Sequence, residues 1–496
     1  MSIPLEKSAG LDSPRPVRDR SSLTGFTIQE LIQAVGAVAV RSGSTAAFSG
    51  ISTDSRTIAP GEAFIAIKGD NFDGHEFIAE AVKRGAGCVI RKRSRGEYPA
   101  ISQTVLGRVS SGGAPPAILE VEDTIKAYGD IARFHRRRFS APVIAVTGSN
   151  GKTTTKEMIS WLLSEKYSVL KNPGTKNNHI GLPAALLDLD ENHDIIVLEI
   201  GTNHFGEVEY LARICEPNIG IITNIGQSHL EYLGNEQGVY REKSALIREL
   251  HSPGIALLNA DDIFLKEEVF RNNARPFVIG FGITARVDLY SSRIARSPGM
   301  VSFRLNGKYG VSLKTAGRHN IYNALAALAA GSLFGMRFED MSRRLSGFEF
   351  PAGRLKIRLI GGVNFIDDTY NSNPFSFRHA LRALEDMACK GRKIVVMGDM
   401  LELGEFEKKF HREAGKSAAG VCDVLITVGS LSRFAAGEAR ACGFHAGGIF
   451  TCTSSAEARD ILFNKIKVMK NDLVLVKGSR RLKLEQIFET REEHSV

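Results

Sequence analysis

Short runs of uninterrupted apolar residues, each closed by a small or polar turn, recur in the middle of the chain: Val143-Ile-Ala-Val146, Ile195-Ile-Val-Leu198, Ile219-Gly-Ile-Ile222 and Ile255-Ala-Leu-Leu258. A strand that is apolar at every position is covered on both faces, the signature of a mostly parallel sheet with helices on either side. The pattern predicts strands over 143–147, 194–200, 219–223 and 255–259, with helices over 152–165 and 206–214. The theme returns in residues 350–490, where Lys393–Gly398, Val424–Gly429 and Leu473–Lys477 read as strands that end at or just before Gly or Lys. Upstream, Ala63-Phe-Ile-Ala-Ile67 reads as a buried strand after a turn at Pro60-Gly61, and Thr124–Arg138 as a helix leading into the strand at 143.

At 496 residues the chain exceeds what one hydrophobic core organises. The expected class is α/β with three domains: a small N-terminal α/β domain over 23–121, a central parallel-sheet domain over 122–347, and a C-terminal Rossmann-like α/β domain over 348–496. Residues 1–22 are expected to form a disordered tail. The Gly- and Pro-containing stretch 107–116 falls near the first boundary.

Composition narrows the class. No run approaches the roughly 18 apolar residues of a membrane span, and the charged N-terminus lacks the apolar centre of a secretion signal, so a cytoplasmic protein is expected. Six scattered cysteines without a C-x-x-C pair argue against zinc, iron–sulfur clusters and a disulfide framework, and read as small buried hydrophobes. The net charge of +9 is spread over brief runs at 91–95, 136–138 and 480–483 with no aromatic interleaving. Solvated faces and anionic small molecules account for them without nucleic acid.

The chemistry starts at Thr147-Gly-Ser-Asn-Gly-Lys-Thr153, between the first central strand and its helix. Small residues at Gly148, Ser149 and Gly151 let backbone N–H groups close on phosphate oxygens, Lys152 adds a cation, and the Thr153 hydroxyl can reach Mg²⁺. The helix then points its positive end at the anion. Val146 stands where the usual P-loop spacing has glycine, so the loop is a shortened G-x-x-G-K-T.

Other polar clusters follow predicted strands, where such a sheet gathers its ligands. Glu199 offers a hard oxygen beside the phosphate site. His229, on the polar turn after strand 219–223, reads as a ligand or as a structural histidine. Lys243 falls on an amphipathic helical stretch, where a lysine ordinarily faces solvent. Asn320 and Asn323 share one face of an Ala-rich helix, placed to meet an adenine edge or, for Asn320, to cap the helix. Asp367-Asp-Thr-Tyr-Asn-Ser-Asn-Pro374 reads as a polar loop immediately after a strand.

The P-loop, Asn177-Asn178, Glu199, His229, Lys243, the Asn320/Asn323 helix and Asp368 occur in the order they take in the Mur ligases, and the chain resembles that family over nearly its whole length. Asp367–Pro374, Met397-Gly-Asp-Met-Leu-Glu-Leu-Gly404 and Lys477-Gly-Ser-Arg480 are similar to the branch that joins D-alanyl-D-alanine to UDP-N-acetylmuramoyl-tripeptide. Thr53-Asp-Ser-Arg56 and Asp73-Gly-His75 resemble its UDP-binding domain. The resemblance implies a monomeric ligase dependent on ATP and Mg²⁺, with those two substrates, an acyl-phosphate intermediate and no nucleic-acid partner.

Residue by residue, it implies that Gly148, Ser149, Asn150, Gly151, Lys152, Thr153 and Thr154 hold ATP. Asn320 and Asn323 would meet adenine, Arg354 the γ-phosphate and Asp368 the nucleotide. Thr153, Glu199 and His229 match the metal shell, joined by Lys243 if it is carbamylated as in relatives. Lys152, Glu199, His229 and Lys243 would carry the catalysis. Ser55 and Arg56 would hold the uridine diphosphate, and Asn178, Tyr370, Asn371 and Asn373 the rest of the substrates.

Two positions depart from the family: Thr202 replaces a usual methionine, and the neighbours of Lys243 are unusually charged. The alternatives are the preceding ligase, which adds diaminopimelate or lysine, folylpolyglutamate synthase, and a non-catalytic nucleotide-binding regulator. The preceding ligase is disfavoured by the absence of an Asp-Asn-Pro-Arg-like motif in 350–490, and the regulator by the intact Lys152, Glu199 and His229.

Overall fold

A computed structural model of the protein describes residues 25–41, 47–69, 72–93, 115–271, 276–297 and 299–489. The tail expected over 1–22 lies outside the described residues, as does most of 107–116.

The apolar run Val143–Thr147 is a strand buried at every residue. It pairs in parallel with Ile195–Glu199 on one side and Ile219–Ile222 on the other. The sheet has nine strands. Beyond Ile219–Ile222 lie Ile255–Asn259 and Phe277–Gly282, both parallel, and beyond Ile195–Glu199 lies Val169–Lys171. The far edge differs from the expected alternation of strand and helix. Leu289–Ser297, Met300–Leu305 and Tyr309–Leu313 form an antiparallel meander. The turn between its last two strands is Asn306-Gly307, at φ 49° and 74°. Two successive left-handed residues suit the tight turn whose twist matches a hairpin.

The C-terminal sheet orders its six strands Lys356–Ile360, Val363–Asp368, Leu473–Lys477, Lys393–Gly398, Val424–Val428 and Ile449–Cys452. Only the first pair is antiparallel. Asp367 and Asp368 are the last residues of their strand. The expectation that they lie on a loop is thereby corrected: their backbones pair with Val476 and Lys477, which extends the ladder past the apolar run. A smaller sheet of five strands occupies the N-terminal part, in the order Val38–Arg41, Ala117–Val121, Cys88–Lys92, Ala63–Ile65 and Ile51–Ser52.

Helix Thr124–Arg136 ties the first two parts together. Asp123 caps it, accepting from the amides of Ile125 and Lys126. It packs on helix Ile28–Val35 and on helices Gly181–Leu187 and Glu207–Cys215. Within the basic run 136–138, Arg136 is buried and donates to the Phe139 carbonyl at 2.7 Å. That residue is therefore a structural strut rather than part of a solvated face. Cys88, Cys215, Cys422 and Cys452 are buried as expected, whereas Cys442 is exposed. Among the described residues no helix is long and apolar enough to cross a membrane.

In both large sheets the C-terminal ends of the parallel strands open onto one crevice, the place where such sheets gather ligands. Behind it, the C-terminal part is packed with little tolerance. A Cβ on Gly415, in helix Glu407–Ala419, would lie 2.1 Å from the carbonyl oxygen of Ala435 in helix Arg433–Ala441. Gly415→Ala is expected to force these helices apart and cost about 1–3 kcal/mol. Thermal unfolding checks this; an unchanged midpoint would show that the helix pair gives way freely.

Candidate active site

The crevice is a cleft of ≈ 640 Å³, walled by the loops after Thr147, Glu199, Ile222 and Asn259 and by Arg354, Asp368–Ser376, Leu401–Leu403 and Lys477. The P-loop forms its floor, and a second loop clamps it in place. The Ser149 amide donates to the Asn224 carbonyl at 2.9 Å, and the Ser149 hydroxyl to the Gly226 carbonyl at 3.0 Å. The Thr223 hydroxyl and the Asn224 amide both donate to the Asn150 carbonyl, at 2.6 and 2.9 Å. Glycine is required at two points. Gly148 has φ 144° and a Cβ there would meet Thr223 Oγ1 at 2.0 Å; Gly151 has φ 84° and its Cβ would meet Asn323 Oδ1 at 2.4 Å. Lys152 Nζ donates to the Gly148 carbonyl at 2.8 Å. Burial lowers its pKa and Arg354 adds to the fall, while Glu199 acts against it.

Beside the loop is a corner of unsatisfied groups. Glu199 is buried at its strand end, not a surface acid. Its Oε1 accepts from Asn177 Nδ2 at 2.5 Å and its Oε2 has no partner. Lys243 is 0% exposed and its Nζ is likewise unpartnered, which overturns the solvated-face expectation. Burial, and after it Lys152, pushes this amine well below the usual lysine range, against the pull of Glu242 and Glu207.

The adjacent acid is not hydrogen-bonded to Lys243: Glu242 accepts instead from the backbone amides of Gly206 at 2.7 Å and Val208 at 2.8 Å. The Thr202 hydroxyl lies 3.1 Å from Oε1 of Glu242, so the departure at Thr202 and the charged flank of Lys243 are one hydrogen-bonded feature. Thr153 Oγ1 accepts from Arg354 at 3.2 Å, and His229 Nδ1 lies 2.6 Å from Glu402 Oε2. Burial lowers the His229 pKa, with Lys243 and Lys152 lowering it further against the Glu402 hydrogen bond.

Such a corner suits Mg²⁺. A buried carboxylate oxygen without a donor is what a hard cation takes up. Among the described residues no group of three or more His, Cys, Asp or Glu side chains could hold a metal by itself.

Asn320 and Asn323 do share a face: Asn323 Nδ2 donates to Asn320 Oδ1 at 2.8 Å, and Asn320 Nδ2 to Thr315 Oγ1 at 2.9 Å. Asn320 is not the cap of its helix, whose N-cap is His319 without a side-chain hydrogen bond. From the other wall, Arg354 stacks 3.8 Å over the Tyr370 ring, and Tyr370 OH donates to Thr175 Oγ1 at 2.6 Å. Asn373 Nδ2 donates to Asn150 Oδ1 at 3.0 Å, while its Oδ1 caps helix Pro374–Asp386. Asp368 Oδ2 accepts from Lys477 at 2.6 Å, and Lys477 also donates to the Asn371 carbonyl at 2.8 Å.

Five expected site residues are not among those lining the cleft: Gly148, whose carbonyl accepts from Lys152, the fully buried Lys243, and three that lie elsewhere. Asn178 is not in the cleft wall, since its Oδ1 accepts from the amides of Ile180 and Gly181 at the start of a helix; the neighbouring Asn177 lines the cleft instead. Ser55, buried, and Arg56, exposed and paired with Asp54 at 2.7 Å, are not among the lining residues either. Asn224, Ser228, Lys477 and Glu402 were not named individually from the sequence, although each sits in a stretch it singles out: the first two on the polar turn that carries His229, the others in 477–480 and 397–404.

Three family descriptions match the chain in order: "Mur ligase family, catalytic domain" over residues 47–136, "Mur ligase middle domain" over 146–331, and "Mur ligase, glutamate ligase domain" over 353–480. The UDP-N-acetylmuramoyl-tripeptide–D-alanyl-D-alanine ligase of Bacillus subtilis (strain 168) is 35% identical over 88% of this chain and 92% of its own. The chain belongs to the Mur ligase family. A crystal structure of MurF from Acinetobacter baumannii superposes with a TM-score of 0.82 at 33% identity, covering 93% of this chain and 98% of that one. MurF from Thermotoga maritima in complex with ADP superposes at 0.76 with 29% identity, covering 90% and 97%. The three-domain α/β architecture of this Mur ligase is that of the MurF structures.

One further feature of the cleft has a measurable consequence. His319 and His379 face each other from the two walls, ring centroids 5.2 Å apart, and Phe375 packs edge-on against His379 at 4.6 Å. Burial, with Lys477 nearby, lowers the His319 pKa to about 4; burial, then His319 and Arg382, lowers that of His379 to about 3. Both rings are neutral in the folded protein, while an unfolded histidine titrates near 6.5. The stability they contribute is complete above about pH 6.5 and lost as pH falls toward the folded values near 4 and 3. The thermal midpoint should therefore decline between pH 7 and 4.5, and decline less in His379→Leu. Parallel pH profiles for the two proteins would count against it.

Proposed function

We propose that this Mur ligase joins D-alanyl-D-alanine to UDP-N-acetylmuramoyl-tripeptide, with ATP converted to ADP and phosphate, to give the pentapeptide precursor of peptidoglycan. The observation that carries this reading is the pairing of an intact phosphate loop with a buried, cation-rich corner, within a chain that spans over nine-tenths of the length of the named ligases. The tripeptide carboxylate attacks the γ-phosphorus and ADP leaves. The amine of D-alanyl-D-alanine then attacks the acyl carbon, phosphate departs and the amine gives up its proton. Such steps call for charge neutralisation and positioning rather than a protein nucleophile.

In this reading Lys152 meets the β- and γ-phosphates, with Arg354 reaching the γ-phosphate from the opposite wall. Asn320 and Asn323 face the adenine, and Asp368, held by Lys477, the nucleotide. Thr153, Glu199 and His229 would hold Mg²⁺, which when bound offsets the charge of the phosphates. Tyr370, Asn371 and Asn373 line the acceptor side, and Ser55 and Arg56 serve the uridine diphosphate away from the cleft. In this reading the enzyme works as a cytoplasmic monomer.

Lys243 completes the corner as a carbamate: its neutral amine adds CO₂ and releases a proton, so an anion replaces a cation. The absence of any partner for Nζ and the lowering of its pKa by burial support this. An ammonium there would repel both Lys152 and a metal.

The deciding assay is phosphate release from ATP with UDP-N-acetylmuramoyl-tripeptide and D-alanyl-D-alanine. Turnover that prefers diaminopimelate, lysine or glutamate as the amine would overturn the assignment. Lys152→Ala is expected to lower kcat by about 10²- to 10³-fold, as for the loss of a preorganised charge clamp. Lys243→Ala should be nearly inactive and partly restored by short-chain carboxylates that refill the anionic position. Full activity without them would show that no carbamate is needed.

A further inference from the structure

The two walls of the cleft also meet through a side chain with no place among the substrate contacts. Glu402 lies in the segment Leu401–Gly404, after strand Lys393–Gly398, and its Oε2 stands 2.6 Å from Nδ1 of His229. Both residues have left-handed backbones, His229 at φ 53° and Glu402 at 61°. Non-glycine residues adopt this region at a cost and hold it where surrounding contacts dictate it. Those contacts are present. The Glu231 amide donates to the Glu402 carbonyl at 3.2 Å, and Gly404 comes so near that a Cβ on it would lie 3.2 Å from Cα of Glu231.

An ionised carboxylate only accepts hydrogen bonds, so the imidazole nitrogen that faces Glu402 carries the hydrogen. In a neutral ring this leaves the lone pair on Nε2, and a histidine ligates a metal only through such a lone pair. A carboxylate behind a ligating histidine fixes its tautomer and ring orientation and raises its basicity.

We propose that Glu402 is a positioning residue: seating of the Leu401–Gly404 segment on the His229 turn locks His229 in the Nδ1–H tautomer and presents Nε2 to the metal that accompanies the nucleotide. This rests on the reading of His229 as a metal ligand. It makes the C-terminal domain a contributor to the metal corner, although none of its own side chains ligates there. Nucleotide bound to the central domain thus meets a complete site only when the C-terminal domain is docked.

The test uses the full chain with isotopically labelled histidine, the His229 signals being identified by their loss in His229→Gln. Long-range nitrogen–proton correlation spectra of the unliganded protein should show the Nδ1–H tautomer, moving toward Nε2–H in Glu402→Ala. Glu402 lines the cleft with 42% of its side chain exposed and belongs to no apolar core, so its truncation leaves the core intact. Manganese titration followed by electron paramagnetic resonance, with a non-hydrolysable ATP analogue, should show an apparent affinity about 10- to 100-fold weaker in Glu402→Ala. Glu402→Gln, whose amide oxygen still accepts from Nδ1, should fall between. An Nε2–H tautomer in the wild type, or one unchanged in Glu402→Ala, overturns the positioning role. Equal manganese affinity in His229→Gln and wild type overturns the ligand reading beneath it and leaves the tautomer result to judge Glu402 alone.

Discussion

Lys152 on the cleft wall lies near enough to the wholly buried Lys243 to lower its pKa, and near Glu199, which has one unpaired carboxylate oxygen. Like charges in a low dielectric repel strongly, and burial removes the water that would screen them. The neighbouring residues sharpen the imbalance. Glu242, the acid next to Lys243 in the chain, is turned away by the amides of Gly206 and Val208 and by Thr202. The imbalance favours negative charge at this corner, in keeping with the triphosphate proposed at Lys152 and the carbamate proposed at Lys243. The depressed lysine pKa values answer to this constraint, and the orphaned Glu199 oxygen leaves a place for a cation.

A second consequence is that neither large sheet completes the site. Asn373 reaches Asn150 in the P-loop, Tyr370 reaches Thr175, Arg354 reaches Thr153, and Glu402 reaches His229. Three of these contacts join residues that follow parallel strands of one sheet to residues that follow those of the other, while Arg354 comes from just before the antiparallel strand Lys356–Ile360. Individually a hydrogen bond of this kind contributes on the order of 1 kcal/mol, small enough for the walls to separate and rejoin during turnover. The chemistry thus depends on a surface of modest contacts around a corner that is electrostatically demanding.

Parallel strands carry their own signal, because burial on both faces makes every residue apolar; the runs at 143, 195, 219 and 255 appear almost as expected. The P-loop was equally legible, since Gly148 and Gly151 are required by local backbone geometry. The antiparallel meander at 289–313 went unread although part of it is legible: Val301, Phe303 and Leu305 are buried and alternate with Ser302 and Arg304, whereas its place at the sheet edge is set by tertiary pairing. Asn178 was chosen over Asn177 because adjacent amides look alike until a helix start occupies one of them.

Lys243 marks the division. The order of motifs along the chain was enough to point to the family and to the glycine-rich loop, because these depend on short-range backbone geometry and on side-chain chemistry. Helical periodicity put Lys243 on a solvated face, and no local rule says otherwise. Its complete burial, the diversion of Glu242 toward Thr202 and the helix at Glu207, and the approach of Glu402 to His229 come from packing between segments far apart in sequence. Burial and charge environment are sums over neighbours in space, so they exist only once the chain has folded.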